Sequence, residues 1–129
     1  MKKIILDTHV FLWLKTQPEK VSKTVIDIYQ NIDNEIFLSL VSVWEIQIKQ
    51  QIGKLKLDVS IDKMIREQCA VNGLNILPIN LSHIIGLNEF PLHHKDPFDR
   101  LLISQAKIEN TILLSSNRYF SKYDVKIIW

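Results

Sequence analysis

The hydrophobic pattern of this chain runs on two periods. Short aliphatic runs at 3–6, 36–40, 76–79, 112–114 and 125–128 are rich in β-branched residues and bounded by polar ones, which predicts five strands. Between them apolar residues recur every three or four positions: Val21, Val25, Ile28 and Ile32; Val41, Trp44, Ile48 and Ile52; Ile61, Met64 and Ile65; Phe98, Leu101, Leu102 and Ala106. That spacing draws an apolar stripe down one side of a helix. Apolar strands alternating with helical segments long enough to serve as crossovers predict a three-layer α/β/α sandwich around a mainly parallel five-stranded sheet. Gly53 is expected to close the helix carrying Trp44, and Gly73 the helix after Ser60, both as left-handed caps.

Length and composition narrow the class. A chain of 129 residues suits one hydrophobic core, so a single domain over 1–129 is expected. With 47% apolar and 23% charged residues it falls among globular proteins, outside the disordered and fibrous classes. Cys69 is the one cysteine, which excludes an intrachain disulfide and a cysteine zinc site and fits a reducing compartment. Lys2 and Lys3 ahead of Ile4-Ile5-Leu6 have the start of a secretory signal, but Asp7, Thr8 and His9 break the apolar run. No segment reaches the roughly 20 apolar residues of a membrane span, and the expected location is the cytoplasm. A formal charge of +2 does not mark a nucleic-acid binder by itself. Placement says more, because Lys49, Lys54, Lys56, Lys95, Arg100, Lys107, Arg118 and Lys122 flank the points where acids gather.

Those acids stand at the ends of predicted strands and the starts of predicted helices, the edge of an α/β sheet where functional groups collect. Asp7 closes the first strand, Glu45 falls in the first turn after the second, Asp96 and Asp99 open the helix at Pro97, and Asn117 follows the fourth strand. Each has a structural explanation. Ser42-x-x-Glu45 reads as a capping box, Asp96 before Pro97 as an N-cap, and Asp99 as a charge suited to the helix dipole. Asp7 resists that explanation, since it caps only a short apolar segment from His9 to Leu14 and a carboxylate is costly at the end of a buried strand. Carboxylates brought together repel unless a cation compensates them, and oxygen-only ligands select Mg²⁺ or Mn²⁺ over zinc.

The segments Ile5-Leu6-Asp7-Thr8-His9, Ser42-Val43-Trp44-Glu45-Ile46 and His93-His94-Lys95-Asp96-Pro97-Phe98-Asp99-Arg100-Leu101-Leu102-Ile103-Ser104-Gln105-Ala106 resemble the motifs of PIN-domain ribonucleases, specifically VapC-type toxins of toxin-antitoxin pairs. The resemblance spans nearly the whole chain, to the closing Lys126-Ile127-Ile128-Trp129. It implies an α/β nuclease that binds Mg²⁺ or Mn²⁺, cleaves RNA, forms a homodimer and is restrained by a cognate antitoxin. Asp7, Glu45 and Asp99 match the family's three leading acids, and Asp96 an additional one. The family's fourth acid follows the fourth strand; here the turn reads Ser115-Ser116-Asn117-Arg118, so an amide stands where a carboxylate is expected and a second ion should bind less tightly.

The mechanism expected is metal-assisted hydrolysis, with the ion held by Asp7 and Asp99 and Glu45 orienting or deprotonating the attacking water or completing the metal shell. Asn117, Ser115 and Ser116 are candidates for metal-bound water or the phosphate, and Arg100 and Arg118 for phosphate contact. His93 and His94 read as a solvent-exposed pair, His9 beside Asp7 is a better candidate for a catalytic role than either of them, and His83 reads as structural. Phe11, Trp13 and Leu14 fit a core or a partner surface. Two other classes remain open: a PIN scaffold weakened by Asn117 that only binds RNA or protein, and a receiver-like phosphoacceptor domain, which lacks its paired acids and lysine here. A dinucleotide fold is disfavoured by three glycines and no Gly-x-Gly-x-x-Gly.

Overall fold

Alternation within the first strand sets the layers. In the computed structural model, which describes residues 2–90 and 96–129, Ile4 and Leu6 point into one apolar cluster and Ile5 into another, so β1 (Lys3–Leu6) is buried on both faces. The remaining strands are β2 (Glu35–Ser39), β3 (Asn75–Leu77), β4 (Ile112–Leu114) and β5 (Lys126–Ile128). They pair in the order β3-β2-β1-β4-β5, every pairing parallel, with Leu6 opposite Leu38 on one side and Leu114 on the other. The expected sandwich is therefore present, and its sheet is wholly parallel.

Six helices cover the sheet: α1 (Thr8–Thr16), α2 (Lys23–Gln30), α3 (Leu40–Gln51), α4 (Ile61–Asn72), α5 (Leu81–Ile85) and α6 (Pro97–Ile108). Val10 and Phe11 of α1, Val25 of α2 and Met64 of α4 pack on the Ile4–Leu6 face, while Leu102, Ile103 and Ala106 of α6 pack with Phe120 on the Ile5 face. Phe11 is thus a core residue, and Trp13 and Leu14 pack half-buried beside it. Gly53 and Gly73 adopt the left-handed conformation at the ends of α3 and α4, with φ of 77° and 66°.

Several boundaries and one helix face differ from the sequence expectation. The strand predicted at 36–40 stops at Ser39, whose hydroxyl accepts from the Val41 N–H and so opens α3 at Leu40. Ser39 is the N-cap, and the capping box read at Ser42 and Glu45 is not formed; Glu45 lies in the second turn. The third strand ends at Leu77 because Pro78 has no N–H for the ladder, and the fifth begins at Lys126 because the Val125 N–H turns back to the Tyr123 carbonyl. In α3 the buried positions are Val41, Ser42, Glu45 and Ile46, while Trp44 and Ile52 are exposed. The helix is wedged between α1 and α6, and this turns its polar Ser-Glu stripe inward. Ile32 lies past the end of α2 and is exposed. His93, His94 and Lys95 lie outside the described residues.

The Ile5 side is tied together by a buried polar network. The His83 Nδ1 accepts from the Asn80 N–H at 2.9 Å, which leaves the proton on Nε2, 3.0 Å from Glu109. Ser104 donates to the His83 carbonyl at 2.6 Å, Gln105 Nε2 to the Pro78 carbonyl at 3.2 Å, and Ser39 to Gln105 Oε1 at 2.5 Å. His83 is structural, as expected. Gln105→Leu removes the partner of the buried Ser39 hydroxyl as well as the bond to the Pro78 carbonyl and should cost about 1–3 kcal/mol in urea unfolding with an unchanged slope. A loss under about 0.5 kcal/mol would contradict this account of the network.

Candidate active site

The strand order has one reversal. The chain leaves β1 for β2 and β3 on one side, then crosses to β4 and β5 on the other, which makes the carboxyl ends of β1 and β4 the switch point where open α/β sheets carry their crevice. Asp7 and Ser115 are the next residues on those strands. The Asp7 N–H donates to the Leu114 carbonyl at 3.0 Å, which extends the ladder one step and fixes Asp7 against the Leu114–Ser115 turn.

Asp7 precedes α1 in the position of an N-cap, yet its side chain makes no capping bond. Its carboxylate is buried. The Ser115 hydroxyl donates to Oδ2 at 2.7 Å, while Oδ1 has no hydrogen-bond partner among the described residues. Burial pushes the carboxyl above the usual carboxylate range; the Ser115 bond and the neighbouring His9 oppose that rise, and the nearby Glu45 charge adds to it.

Glu45 is buried on the inward stripe of α3, only 2% exposed. Thr8 donates to its Oε1 at 2.8 Å, with the Ser42 hydroxyl 2.8 Å behind Thr8, and Lys49 sits one helical turn on with Nζ 2.7 Å from Oε2. Asp99, half-buried in the first turn of α6, faces the Asn117 amide nitrogen at 3.5 Å. Asn117 in turn donates its backbone N–H to Ser115 Oγ at 3.0 Å, and its side-chain oxygen caps the 3₁₀ turn Arg118–Lys122 by accepting from Tyr119. A hydrogen-bonded path therefore runs from Asp7 through Ser115 and Asn117 to Asp99, and the chain neighbour of Asp7, Thr8, holds Glu45.

The remaining candidates separate by environment. Asp96 Oδ1 accepts from the N–H groups of Phe98 and Asp99 at 2.9 and 3.1 Å, the N-cap geometry that Pro97 favours. Ser115 is buried with its hydroxyl committed to Asp7 and Asn117, whereas Ser116 and Arg118 are exposed. Arg100 is half-buried, and its Nε has no partner among the described residues. From the sequence Lys49 was one of several flanking cations, Ser42 part of a capping box and Thr8 a member of a motif, and none of the three was expected in the site. The signal for Lys49 was its i,i+4 spacing from Glu45, a pair that usually decorates a solvated face.

Among the described residues no three His, Cys, Asp or Glu side chains converge into a ready-made metal cluster. The donor set still fits a hard divalent ion. One buried Asp7 carboxylate oxygen lacks a partner among the described residues, Asp99 and Ser115 add further oxygens on the same hydrogen-bonded path, and Glu45 is met by the Lys49 ammonium.

The PIN-domain family model matches residues 4–126. The chain belongs to the PIN-domain family. Solved PIN-fold neighbours include VapBC2 from Rickettsia felis bound to a promoter DNA fragment, at TM-score 0.72 and 17% identity over 98% of this chain and 97% of that one. DNA-bound VapBC from Salmonella typhimurium matches at TM-score 0.71 and 13% identity, covering 99% of this chain and 98% of that one. FitAcB from Neisseria gonorrhoeae matches at TM-score 0.64 and 17% identity, covering 98% and 96%. No curated protein sequence matches the chain. At such identities the likeness to these structures is one of fold.

The raised Asp7 pKa carries a signed consequence. The folded PIN domain binds the Asp7 proton more tightly than the unfolded chain does. That contribution to stability is complete below the ordinary carboxylate range and lost as pH rises through the raised value. Without divalent ions, Asp7→Asn should melt above the parent at neutral pH, with the gap closing as the solution is acidified through that window. Calorimetric scans giving the same difference at every pH would contradict it.

Proposed function

We propose that the chain is a metal-dependent endoribonuclease that hydrolyses RNA phosphodiester bonds as the toxin of a toxin-antitoxin pair. The observation that carries the reading is Asp7, a buried carboxylate at the β1/β4 switch point with one oxygen unpartnered among the described residues. Membership of the PIN family and the fold shared with VapBC complexes support it.

Asp7 and Asp99 would hold Mg²⁺ or Mn²⁺, with Asp96 and Asn117 as lesser candidates. When bound, such an ion lowers the pKa of a coordinated water and offsets charge on the phosphate. Ser115 keeps Asp7 aimed into the crevice, and the Asn117 amide does the same for Asp99. Glu45, released from Lys49, orients the attacking water or takes its proton. Arg100, Arg118 and Ser116 are placed around these acids in the sequence and would meet the phosphates. The proposed unit is the whole of 1–129, acting on RNA in the cytoplasm. Among the described residues no helix is long and apolar enough to cross a membrane.

A cognate antitoxin and a second copy of the chain are the proposed partners. The exposed Leu81, Ile84 and Ile85 share one face of α5 and support a homodimer. A second reading, a PIN scaffold that binds without cutting, is favoured by Asn117 in place of an acid and by the engagement of Glu45 with Lys49.

Cleavage of single-stranded RNA with Mn²⁺ should be abolished by EDTA and by Asp7→Asn or Asp99→Asn, and Glu45→Gln should lower kcat about 10²- to 10⁴-fold. Retained cleavage in both aspartate variants would remove the proposal, and an inactive parent would leave the binding scaffold. Asn117→Asp should tighten a second Mn²⁺ in a calorimetric titration; an unchanged isotherm would exclude that position from the site.

A further inference from the structure

Next to the acidic crevice lies a cleft of about 490 Å³, of the size that holds a small ligand, between α1 and the segment following α3. His9, Trp13, Lys49, Lys54 and Lys56 line it, and Asp58 is its one carboxylate. The sequence explains how it is built. Gly53, at φ 77°, turns the chain back so that the N–H groups of Lys54 and Leu55 both donate to the Lys49 carbonyl, at 2.9 and 3.2 Å. From there the side chains alternate: Leu55 and Leu57 pack on the core, while Lys54 and Lys56 stand exposed. Among the described residues neither lysine forms an ion pair.

The opposite wall is aromatic. His9 and Trp13 are one turn apart on α1 with ring centroids 5.8 Å apart, the Trp13 indole meets Trp129 at 6.0 Å, and the Lys20 ammonium lies 5.7 Å from the indole centre. Both walls begin at the acids. His9 is two residues from Asp7, and Lys49 touches Glu45. Aromatic faces beside a track of cations are what a single nucleic-acid strand needs, because bases stack on any π-face while lysines follow the phosphates. A duplex keeps its base faces stacked internally and offers none to this wall.

We infer that this cleft is the subsite for the single-stranded nucleotides flanking the scissile phosphate, with a base stacked against the His9–Trp13 wall and its phosphates on Lys54 and Lys56. The inference rests on the nuclease reading of the adjacent acids and goes beyond it by assigning the residues that would carry the strand past them.

The test is fluorescence anisotropy of a labelled single-stranded RNA octamer in EDTA, paired with steady-state cleavage of the same octamer in Mn²⁺. Trp13→Ala should weaken binding about 5- to 150-fold, the range of one lost base stack. The Lys54→Ala/Lys56→Ala double variant, which removes only exposed side chains, should flatten the log-log salt slope by about 1.4. In cleavage both should raise KM more than they lower kcat. Unchanged binding and KM in both variants would overturn the subsite while parental cleavage left the nuclease reading standing. Trp13-dependent binding without parental cleavage would do the reverse. Equal affinity for duplex RNA, or equal competition by polyglutamate as a stand-in for an acidic protein segment, would also overturn it, since charge alone would then explain the cleft.

Discussion

The parallel pairing of β1 with β4 is the constraint from which the site follows. It sets Leu6 opposite Leu114, continues one step further through the Asp7 N–H, and leaves a carboxylate where two buried strands end together. A carboxylate there is desolvated by the sheet and by the start of α1, so its charge must be met by donors or cations. Ser115 takes one oxygen, His9 acts on the charge from nearby, and Oδ1 has no hydrogen-bond partner among the described residues. That open oxygen is the feature on which the proposed metal chemistry rests.

The surrounding acids show the other ways the fold treats negative charge. Asp96 spends its oxygen on the backbone N–H groups of α6, a structural use. Glu45 is held on an inward stripe by Thr8 and Lys49, so its charge is balanced by a group that can move away toward solvent. Asp99 is met by a neutral amide, at 3.5 Å. The acids thus differ in what meets their charge, and among the described residues Asp7 has a buried oxygen without a hydrogen-bond partner.

The fold built around the sheet and its apolar clusters is shared, over 98–99% of the chain, with PIN-fold structures at 13–17% identity. Such a core needs apolar volume on both faces of each central strand, which many side chains supply. The rim is more demanding. Gly53, Leu55 and Leu57 hold the lysine segment to the core, and a change in that short stretch would alter the cleft without touching the sheet.

The strands, four of the helices and the edge on which Asp7, Glu45, Asp99 and Asn117 sit were legible from period and punctuation, because burial on two faces writes continuous apolar runs and caps write Asp-Pro and Gly. The helices α1 and α5 were not picked out this way, α5 being too short for its period to show. Asp96 as a cap and His83 as a core residue were legible for the same local reason. The strand order, the inward turn of Glu45 and the failure of Ser42 to cap α3 were decided only by tertiary packing. A helix with apolar residues all round carries no unique inner face in its sequence, and the wedge between α1 and α6 chose the polar one. The partnership of Ser115 with Asp7, 108 positions apart, depends on which strands become neighbours, and no local pattern encodes that.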